Sequence, residues 1–308
     1  MGEDVPPPLE VPPDPAREET AERYARPDAE RLPDDVVERL GRRRTGATAA
    51  AFFDLDKTII ARSSTLAFGR PFMKDGLLSP VTVLRGMYAQ AVYQLVGADH
   101  DRMEQIRAAM LELTRGWEAE RIRRIVRETM EEVVAPLVFQ EALDLFEEHR
   151  SAGRDIWVVS SSGEEIVVPF AGYLGIGNVI ATISGVDDDG RYDGTLQFYA
   201  YAGNKATAIR QVAEARGYDL SESYAYSDSI TDLPMLSAVG HPMAVNPDRE
   251  LRAAAQAMGW PWRAFASPVS IRDRLPSWQR PRNEVLVGVA TAAVAGLAAW
   301  RVLSGRSE

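Results

Sequence analysis

The chain has 308 residues, with 45 acidic and 35 basic side chains, three histidines, no cysteine and a formal net charge of −10. The lack of cysteine excludes disulfides, thiolate nucleophiles and Cys-ligated metal sites, and the widely separated His100, His149 and His241 leave few candidates for a histidine metal site or a Ser–His–Asp relay. The negative charge argues against nucleic acid as the main ligand, since the phosphate backbone attracts proteins with a basic face. We therefore expect catalysis to depend on carboxylates, hydroxyls and lysine.

The first 46 residues differ in composition from the rest of the chain. Eight of the 19 prolines lie between residues 6 and 33, interleaved with acidic side chains and arginine. Such a composition buries little apolar surface, so residues 1–46 are predicted to be mostly disordered, with a short helix around Asp34–Leu40. The start of the chain has no apolar stretch typical of a cleaved signal peptide.

An ordered region is predicted from residue 47 onward. The apolar run Ala49–Phe53 stops at an acidic cluster, which is typical of a buried parallel strand. Residues 64–150 follow as a mainly helical block, with apolar residues at three-and-four spacing over 101–115, 118–134 and 136–150. Pro136 stands where a first-turn proline is expected. This block is predicted to be an insertion after the first strand.

From Asp155 the pattern alternates between short apolar strands and helices. Strands are predicted at 156–159, 179–183, 192–199, 224–226 and 243–245, and helices at 164–174, 205–216 and 233–238. The turn Asp187–Gly190 predicts a hairpin between two of the strands. The alternation indicates an α/β fold with a parallel sheet covered on both faces.

Reactive side chains follow three of these strands, at Asp54, Ser160 and Asp228. Ligands of open α/β sheets bind at the carboxyl ends of the strands. The run from Asp54 to Thr58 (Asp-Leu-Asp-Lys-Thr) places two carboxylates two residues apart. Such a pair can act as nucleophile and general acid/base, or can hold a hard cation, although the same pattern also occurs in solvated turns.

Two further segments carry groups suited to phosphate and metal. Ser160–Gly163 offers hydroxyls and backbone amides before a helix, as a phosphate cradle or an ordinary N-cap would. Lys205 opens a helix, where a cation gains nothing from the helix dipole; it is either a solvated lysine or the partner of an anion. Asp228 and Asp232 bring the acids near this sheet edge to four, and their mutual repulsion favours a divalent cation, with Mg²⁺ the natural choice.

The four motifs in this order resemble those of the haloacid dehalogenase-like phosphohydrolases. The resemblance covers residues 47–265, and it is greatest to subfamily IB, which includes phosphoserine phosphatases. Members often carry phrases similar to Ser227–Leu236 (Ser-Asp-Ser-Ile-Thr-Asp-Leu-Pro-Met-Leu) and Gly240–Pro247 (Gly-His-Pro-Met-Ala-Val-Asn-Pro). The resemblance implies a Rossmann-like core at 47–63 and 151–268 with an inserted helical cap domain at 64–150.

The resemblance also implies a role for each matched residue. Asp54 would attack phosphorus to form an aspartyl-phosphate, and Asp56 would act as the general acid and base. The groups that would bind the phosphoryl oxygens are Thr58, Ser160, Ser161 and Lys205. The groups that would bind Mg²⁺ are Asp54, Asp56 through its carbonyl, Asp228 and Asp232.

The implied function is that of a Mg²⁺-dependent phosphomonoester hydrolase acting on a small phosphorylated metabolite or a lipid headgroup. Phosphoserine phosphatases carry a glutamate shortly after the first motif, where this chain reads Ala61-Arg62-Ser63-Ser64, so the sequence argues against phosphoserine as the substrate. Two alternatives remain open, namely a phosphotransferase using the same intermediate and a membrane-tethered binding module of the same fold.

The C-terminal stretch contains 16 consecutive uncharged residues at 285–300. As a helix extended to Leu303 it would measure about 28 Å, close to the roughly 30 Å of a bilayer core. We predict a transmembrane helix at 285–303 after an Arg/Pro-rich linker at 269–284, with the catalytic domain cytoplasmic by the positive-inside rule. A helix packed on the domain or on a partner, in a soluble cytoplasmic protein, is the alternative.

Overall fold

A computed structural model describes residues 29–42, 45–79 and 100–266. Its centre is a seven-stranded sheet in the order β4-β3-β2-β1-β5-β6-β7, parallel except for β4, which pairs antiparallel with β3. The strands are β1 (Ala50–Asp54), β2 (Asp155–Gly163), β3 (Asn178–Val186), β4 (Tyr192–Phe198), β5 (Tyr224–Ser227), β6 (His241–Val245) and β7 (Trp262–Arg263). The predicted α/β fold and the β3–β4 hairpin are confirmed.

Ten α-helices lie in the described part of the chain. They are α1 (Asp34–Gly41), α2 (Ser64–Ala67), α3 (Gly69–Lys74), α4 (His100–Thr114), α5 (Ala119–Val133), α6 (Gln140–Ser151), α7 (Glu164–Tyr173), α8 (Gly203–Arg216), α9 (Leu233–Leu236) and α10 (Arg249–Met258). The last helix and β7 are additions that the sequence patterns did not predict. Helices α2 to α6 fall between β1 and β2 in the chain.

The core is built around β1, the middle strand of the sheet. All five of its residues are buried, which explains why its sequence is apolar throughout rather than alternating. The Phe53 ring stacks on Tyr226 of β5 at 4.3 Å between ring centroids and meets Phe146 of α6 edge-on at 4.8 Å. Phe52, which faces the opposite side, packs against Trp157 of β2. Both faces of the sheet are therefore covered by apolar side chains.

Helix α6 covers the sheet, although its sequence lies within the predicted helical block at 64–150. Its Phe146 packs on β1, and the Nε2 atom of its His149 lies 2.9 Å from the hydroxyl of Tyr226. Pro136 does not open this helix, contrary to the prediction. It lies in a separate 3₁₀ turn, Ala135–Leu137, and α6 begins four residues later at Gln140.

The short helix predicted around Asp34–Leu40 within the proline-rich N-terminal segment is confirmed, whereas the packing of the residues just before it on the core was not predicted. Helix α1 occupies Asp34–Gly41, and Leu32 and Val36 are buried in the main hydrophobic core. Few apolar residues are available here, but Leu32, just before the helix, and Val36, in its first turn, both reach the core. Residues 1–28 lie outside the described part of the chain.

The predicted linker at 269–284 and the predicted transmembrane helix at 285–303 also lie outside the described residues. Within the residues that the structure describes, no helix combines the length and the apolar character needed to cross a bilayer.

Candidate active site

Strand pairing brings the predicted reactive residues to one edge of the sheet. Asp54 is aligned with Val159 of β2, so Ser160 follows one position later on the neighbouring strand. On the other side, Phe53 is aligned with Tyr226 of β5, so the chain passes Ser227 and reaches Asp228 beyond the strand end. Parallel strands that end together therefore gather these groups at their carboxyl ends, as expected from the sequence.

Lys205 is the central cation of this edge. It stands in the first turn of α8, and its ammonium donates to Asp54 Oδ1 and to Asp232 Oδ2, both at 2.7 Å. The Ser227 hydroxyl donates to the same oxygen of Asp232, also at 2.7 Å. Burial alone would lower the pKa of Lys205, but the charges of Asp232 and Asp54 outweigh it and raise the pKa above its ordinary value. The lysine is therefore held in its charged form.

Asp232, predicted as a metal ligand, is committed mainly to Lys205. One of its oxygens accepts from both Lys205 and Ser227, and the side chain is buried at 3 % exposure. An aspartate in this arrangement acts on the site chiefly by orienting the lysine. The sequence analysis gave Ser227 no role of its own, although it belongs to the motif Ser227–Leu236.

The two carboxylates of the first motif have different surroundings. Burial raises the pKa of Asp54 well above its usual range; Lys205 opposes this shift, and repulsion from Asp232, Asp228 and Asp56 adds to it. Burial also raises the pKa of Asp56, while hydrogen bonds from Ser64 act in the opposite direction. Both carboxylates therefore retain a proton more readily than a solvated aspartate does, and they differ in that Asp54 accepts a hydrogen bond from the Lys205 ammonium whereas Asp56 accepts one from the Ser64 N–H.

Ser64 is a site residue that was not predicted, and Ser162 was predicted only as part of the Ser160–Gly163 segment. The backbone N–H of Ser64, the first residue of α2, donates to Asp56 Oδ1 at 2.8 Å. Its hydroxyl oxygen lies 2.8 Å from that of Ser162, whose backbone N–H donates to Ser160 Oγ at 3.2 Å. These contacts join the first motif to the Ser160 loop. A run of serines gives no signal in sequence that would single out these two.

Asp228 lies beside Lys57, to which the sequence analysis assigned no role. The Lys57 ammonium stands 3.6 Å from Asp228 Oδ2. The lysine backbone has a positive φ of 58°, unusual for a residue with a side chain, and the Asn246 amide donates to its carbonyl oxygen at 3.1 Å. Burial raises the pKa of Asp228 to about 7 although Lys57 acts to lower it. Asp228 is thus a buried acid with incomplete charge compensation.

The remaining predicted phosphate-binding groups differ in accessibility. Ser160 is 2 % exposed and Thr58 is fully buried, and among the described residues the Thr58 hydroxyl has no hydrogen-bond partner. Ser161 has an exposed side chain, and its carbonyl accepts from the Thr182 hydroxyl at 2.7 Å. Thr58 and Ser160 are therefore buried at this edge of the sheet, and Ser161 is exposed beside them.

The donor set fits a magnesium ion. In the described part of the chain, no three acidic or histidine side chains converge closely enough to hold a metal by themselves. Magnesium needs fewer, because it is commonly held by one or two carboxylates and keeps several of its waters. Asp54 and Asp228 supply two buried carboxylates at the ends of adjacent strands; burial is the main cause of the raised pKa of each, repulsion between the acids adds to it, and a cation would favour the ionised form of both.

Comparisons with known proteins agree with this geometry. Residues 51–237 match the family model of the haloacid dehalogenase-like hydrolases. The chain is 51% identical over 256 residues to a probable phosphatase from Mycobacterium tuberculosis, covering 83% of this chain and 88% of that protein. A phosphoserine phosphatase from the same species is 33% identical over 257 residues, covering 82% and 81%. A crystal structure of a Bordetella pertussis protein of unknown function is 28% identical, with a TM-score of 0.61 over 70% of this chain and 98% of that one.

The family match spans more than half of the chain, and it includes Asp54, Asp56, Ser160, Lys205 and Asp228. The resemblance inferred from the four motifs is therefore confirmed. The chain belongs to the haloacid dehalogenase-like hydrolases and is a phosphatase of that family.

Proposed function

We propose that this phosphatase hydrolyses phosphomonoesters through an aspartyl-phosphate on Asp54, with Mg²⁺ as cofactor. The observation that carries the proposal is the buried Lys205, which is held between Asp54 and Asp232 at 2.7 Å from each. A permanently charged ammonium beside a carboxylate, at an edge that also presents Ser160 and Asp56, suits an incoming phosphate group.

In the first step, an oxygen of the Asp54 carboxylate attacks phosphorus, and the bond from phosphorus to the ester oxygen breaks. Asp56 gives its proton to the departing oxygen, so the product leaves as a neutral alcohol. Burial, which raises the pKa of Asp56, favours the protonated form required for this step. The Ser64 N–H fixes the direction of the Asp56 carboxyl.

In the second step, Asp56 has become a carboxylate and takes a proton from water as the water oxygen attacks phosphorus. The bond from phosphorus to the Asp54 oxygen breaks, which releases phosphate and restores both aspartates. Lys205, Ser160 and Thr58 would hold the three equatorial oxygens in both steps, where negative charge develops. The unpartnered buried hydroxyl of Thr58 supports this assignment.

Mg²⁺ would be held by the Asp54 and Asp228 carboxylates and the Asp56 carbonyl, with Asp232 acting from behind through Lys205. When bound, the ion supplies positive charge that keeps Asp54 ionised and neutralises the phosphate. Lys57, at 3.6 Å from Asp228, balances part of the charge of that ligand.

The substrate that we propose is a small phosphorylated metabolite or a lipid headgroup. It would reach Asp54 beneath the inserted helices, which would act as the cap domain. Arg123 of α5 contacts Glu164 at 3.0 Å and Glu165 at 3.1 Å, which links this insert to the end of the Ser160 loop. Replacement of the usual glutamate by the Ala61–Ser64 segment favours substrates other than phosphoserine.

Asp54→Asn tests the chemistry. Asparagine has nearly the same shape but is a far weaker nucleophile, so hydrolysis of p-nitrophenyl phosphate in Mg²⁺ should fall by about 10³-fold or more. Asp144→Asn, a replacement of an acid on the exposed side of α6, is the matched control and should keep full activity. Turnover of Asp54→Asn near the wild-type value would refute the aspartyl-phosphate mechanism. Capture of the phosphate by an added alcohol rather than by water would favour a phosphotransferase.

We also propose that residues 285–303 tether the enzyme to a membrane, on the strength of the uncharged run at 285–300. Deletion of residues 283–308 should move the enzyme from the membrane fraction to the supernatant with phosphatase activity preserved. Identical sedimentation of the full-length and shortened chains would contradict the tether.

A further inference from the structure

We propose that the N-terminal arm, residues 29–33 together with α1, positions Lys205 for catalysis. The arm is far from the active-site residues in sequence, and its composition gave no indication of a role. In the fold it runs along α8, the helix whose first turn carries Lys205. The inference rests on the proposed function, because it assigns the arm a role through the residue that would bind phosphate.

The loop that leads into α8 contains a residue with a strained backbone. The residue before the helix, Ala202, has φ of 49° and ψ of −125°, a conformation that residues with a side chain rarely adopt. Among the residues that the structure describes, no side chain caps the first turn of the helix at this position. A strained backbone persists only where its surroundings hold it, so the contacts around Ala202 decide where Lys205 stands.

The arm supplies such contacts through Glu30. Its backbone N–H donates to the side-chain oxygen of Asn204 at 2.9 Å, and its carboxylate accepts from the backbone N–H of Tyr199 at 3.1 Å. The Asn204 amide in turn donates to the Tyr199 carbonyl at 2.9 Å. Glu30 and Asn204 thus clasp both ends of the loop that contains Ala202, and Asn204 is the immediate neighbour of Lys205.

The arm itself is anchored independently of this clasp. The Leu32 N–H donates to the Gln211 side-chain oxygen at 2.9 Å, and the Gln211 amide returns a hydrogen bond to the Leu32 carbonyl at 3.3 Å. Leu32 and Val36 are buried in the core beside α8. Arm and helix therefore form one packed unit, and the removal of the Glu30 carboxylate should free the Tyr199 end of the loop without detaching the arm, since the Glu30 N–H can still donate to Asn204.

A displacement of this loop would affect the reaction through Lys205. Its ammonium reaches Asp54 and Asp232 at hydrogen-bond distance, so a small shift of its backbone alters the position of the charge beside the nucleophile. Charge stabilisation is felt most in the transition state, so kcat should change more than KM. Glu30 and Asn204 are accordingly positioning residues, since they touch Lys205's loop and not the reacting atoms.

The test uses Glu30→Ala, Glu30→Gln and Glu38→Ala in the full-length chain. Glutamine can still accept the Tyr199 N–H and should behave as wild type. Glu38 lies on the same arm but is exposed, and in the described part of the chain its carboxylate pairs with Arg42 just after α1, which makes it the matched control. Activity on p-nitrophenyl phosphate, thermal unfolding and hydrogen exchange of the backbone amides at 199–205 are measured for each variant.

We expect Glu30→Ala to lower kcat about threefold to tenfold with KM changed less than about twofold, the size of effect that follows from weakening one positioning hydrogen bond. Exchange at 199–205 should become several-fold faster in this variant alone, with the unfolding temperature close to that of Glu38→Ala. Asn204→Ala, which breaks the same clasp from the other side, should act in the same direction.

The proposal is overturned if exchange at 199–205 is unchanged in Glu30→Ala, or if exchange rises while kcat stays at the wild-type value. It is also overturned if Glu38→Ala loses as much activity as Glu30→Ala. If the wild type hydrolyses no ester, the proposed function fails, and orthovanadate affinity replaces turnover as the measure of Lys205. Weaker vanadate binding in Glu30→Ala alone would then support the clasp, and equal or absent binding in all variants would refute it.

Discussion

Replacement of Asp228 by asparagine should make the metal-free protein more stable while it removes the response to Mg²⁺. Asp228 is a buried acid whose pKa is raised to about 7, mainly by burial, with repulsion from Asp232 and Asp248 adding to the shift. Lys57, at 3.6 Å, offsets only part of this cost. Asparagine keeps the shape of the side chain and removes its charge, so the cost of ionisation disappears.

The magnitude follows from proton linkage. The pKa of Asp228 rises from an ordinary 3.8 to about 7, which at about 1.36 kcal/mol per unit corresponds to at most about 4 kcal/mol. Between these two values the folded state holds a proton that the unfolded state has lost. The free energy of unfolding of the wild type therefore declines as pH rises from about 4 to about 7. We expect Asp228→Asn to gain about 1 to 3 kcal/mol at pH 8, after allowance for relaxation around the charged side chain.

Urea unfolding in EDTA, at pH 5 and at pH 8, measures this difference. At pH 8 the variant should unfold at a higher urea concentration than the wild type. At pH 5 the difference between the two urea midpoints should be smaller. Millimolar Mg²⁺ in place of EDTA should stabilise the wild type, as any ligand of the folded state does, and should have a much smaller effect on the variant. Equal stability at pH 8 in EDTA, or equal stabilisation of both proteins by Mg²⁺, would refute this account of Asp228.

Two further predictions concern the core. Burial lowers the pKa of His149 from an ordinary 6.5 to about 4, and the charge of Arg154 adds to the shift. The unfolded state therefore binds a proton more readily than the folded state does. The free energy of unfolding should be highest above pH 6.5 and should fall by up to about 3 kcal/mol as pH falls toward 4. In His149→Gln the urea midpoint should vary less with pH across that range. An unchanged dependence of the midpoint on pH would exclude His149 as its source. Phe53→Ala should cost about 3 to 5 kcal/mol of unfolding free energy, because its ring packs on Tyr226 and Phe146; a loss below about 1 kcal/mol would contradict the packing described.

The sequence was most informative where local pattern and chemistry coincide. A short apolar strand that stops at an acid specifies both a buried element and the position of a reactive group, so Asp54 and Asp228 could be assigned to one sheet edge before the structure was described. Parallel pairing then gathers these reactive groups, because it brings the ends of β1, β2 and β5 together. The order of the motifs then led to the family.

Contacts between distant segments could not be predicted in the same way. Ser64 reaches Asp56 because α2 begins where the chain turns back, and nothing in its neighbourhood distinguishes it from Ser63. Lys57 meets Asp228 only because its backbone adopts a positive φ that Asn246 supports from nearly two hundred residues away. Residues 1–46 were predicted to be mostly disordered because composition averages over a segment. The short helix within them was predicted, but the burial of Leu32 and Val36 in the core depends on distant residues and was not.

The balance of charge at the sheet edge links the metal to the substrate. The four aspartates of the motifs face two lysines there, and Lys205 is already committed to Asp54 and Asp232. With Asp56 protonated, as its proposed role as the general acid of the first step requires, and the other three aspartates ionised, the edge keeps one excess negative charge and would repel a phosphate dianion. A divalent cation reverses the sign of that excess. We therefore expect Mg²⁺ to bind before the substrate. Inorganic phosphate should then inhibit much more weakly in EDTA, with a higher inhibition constant. A metal required only for the chemical step would change that constant less.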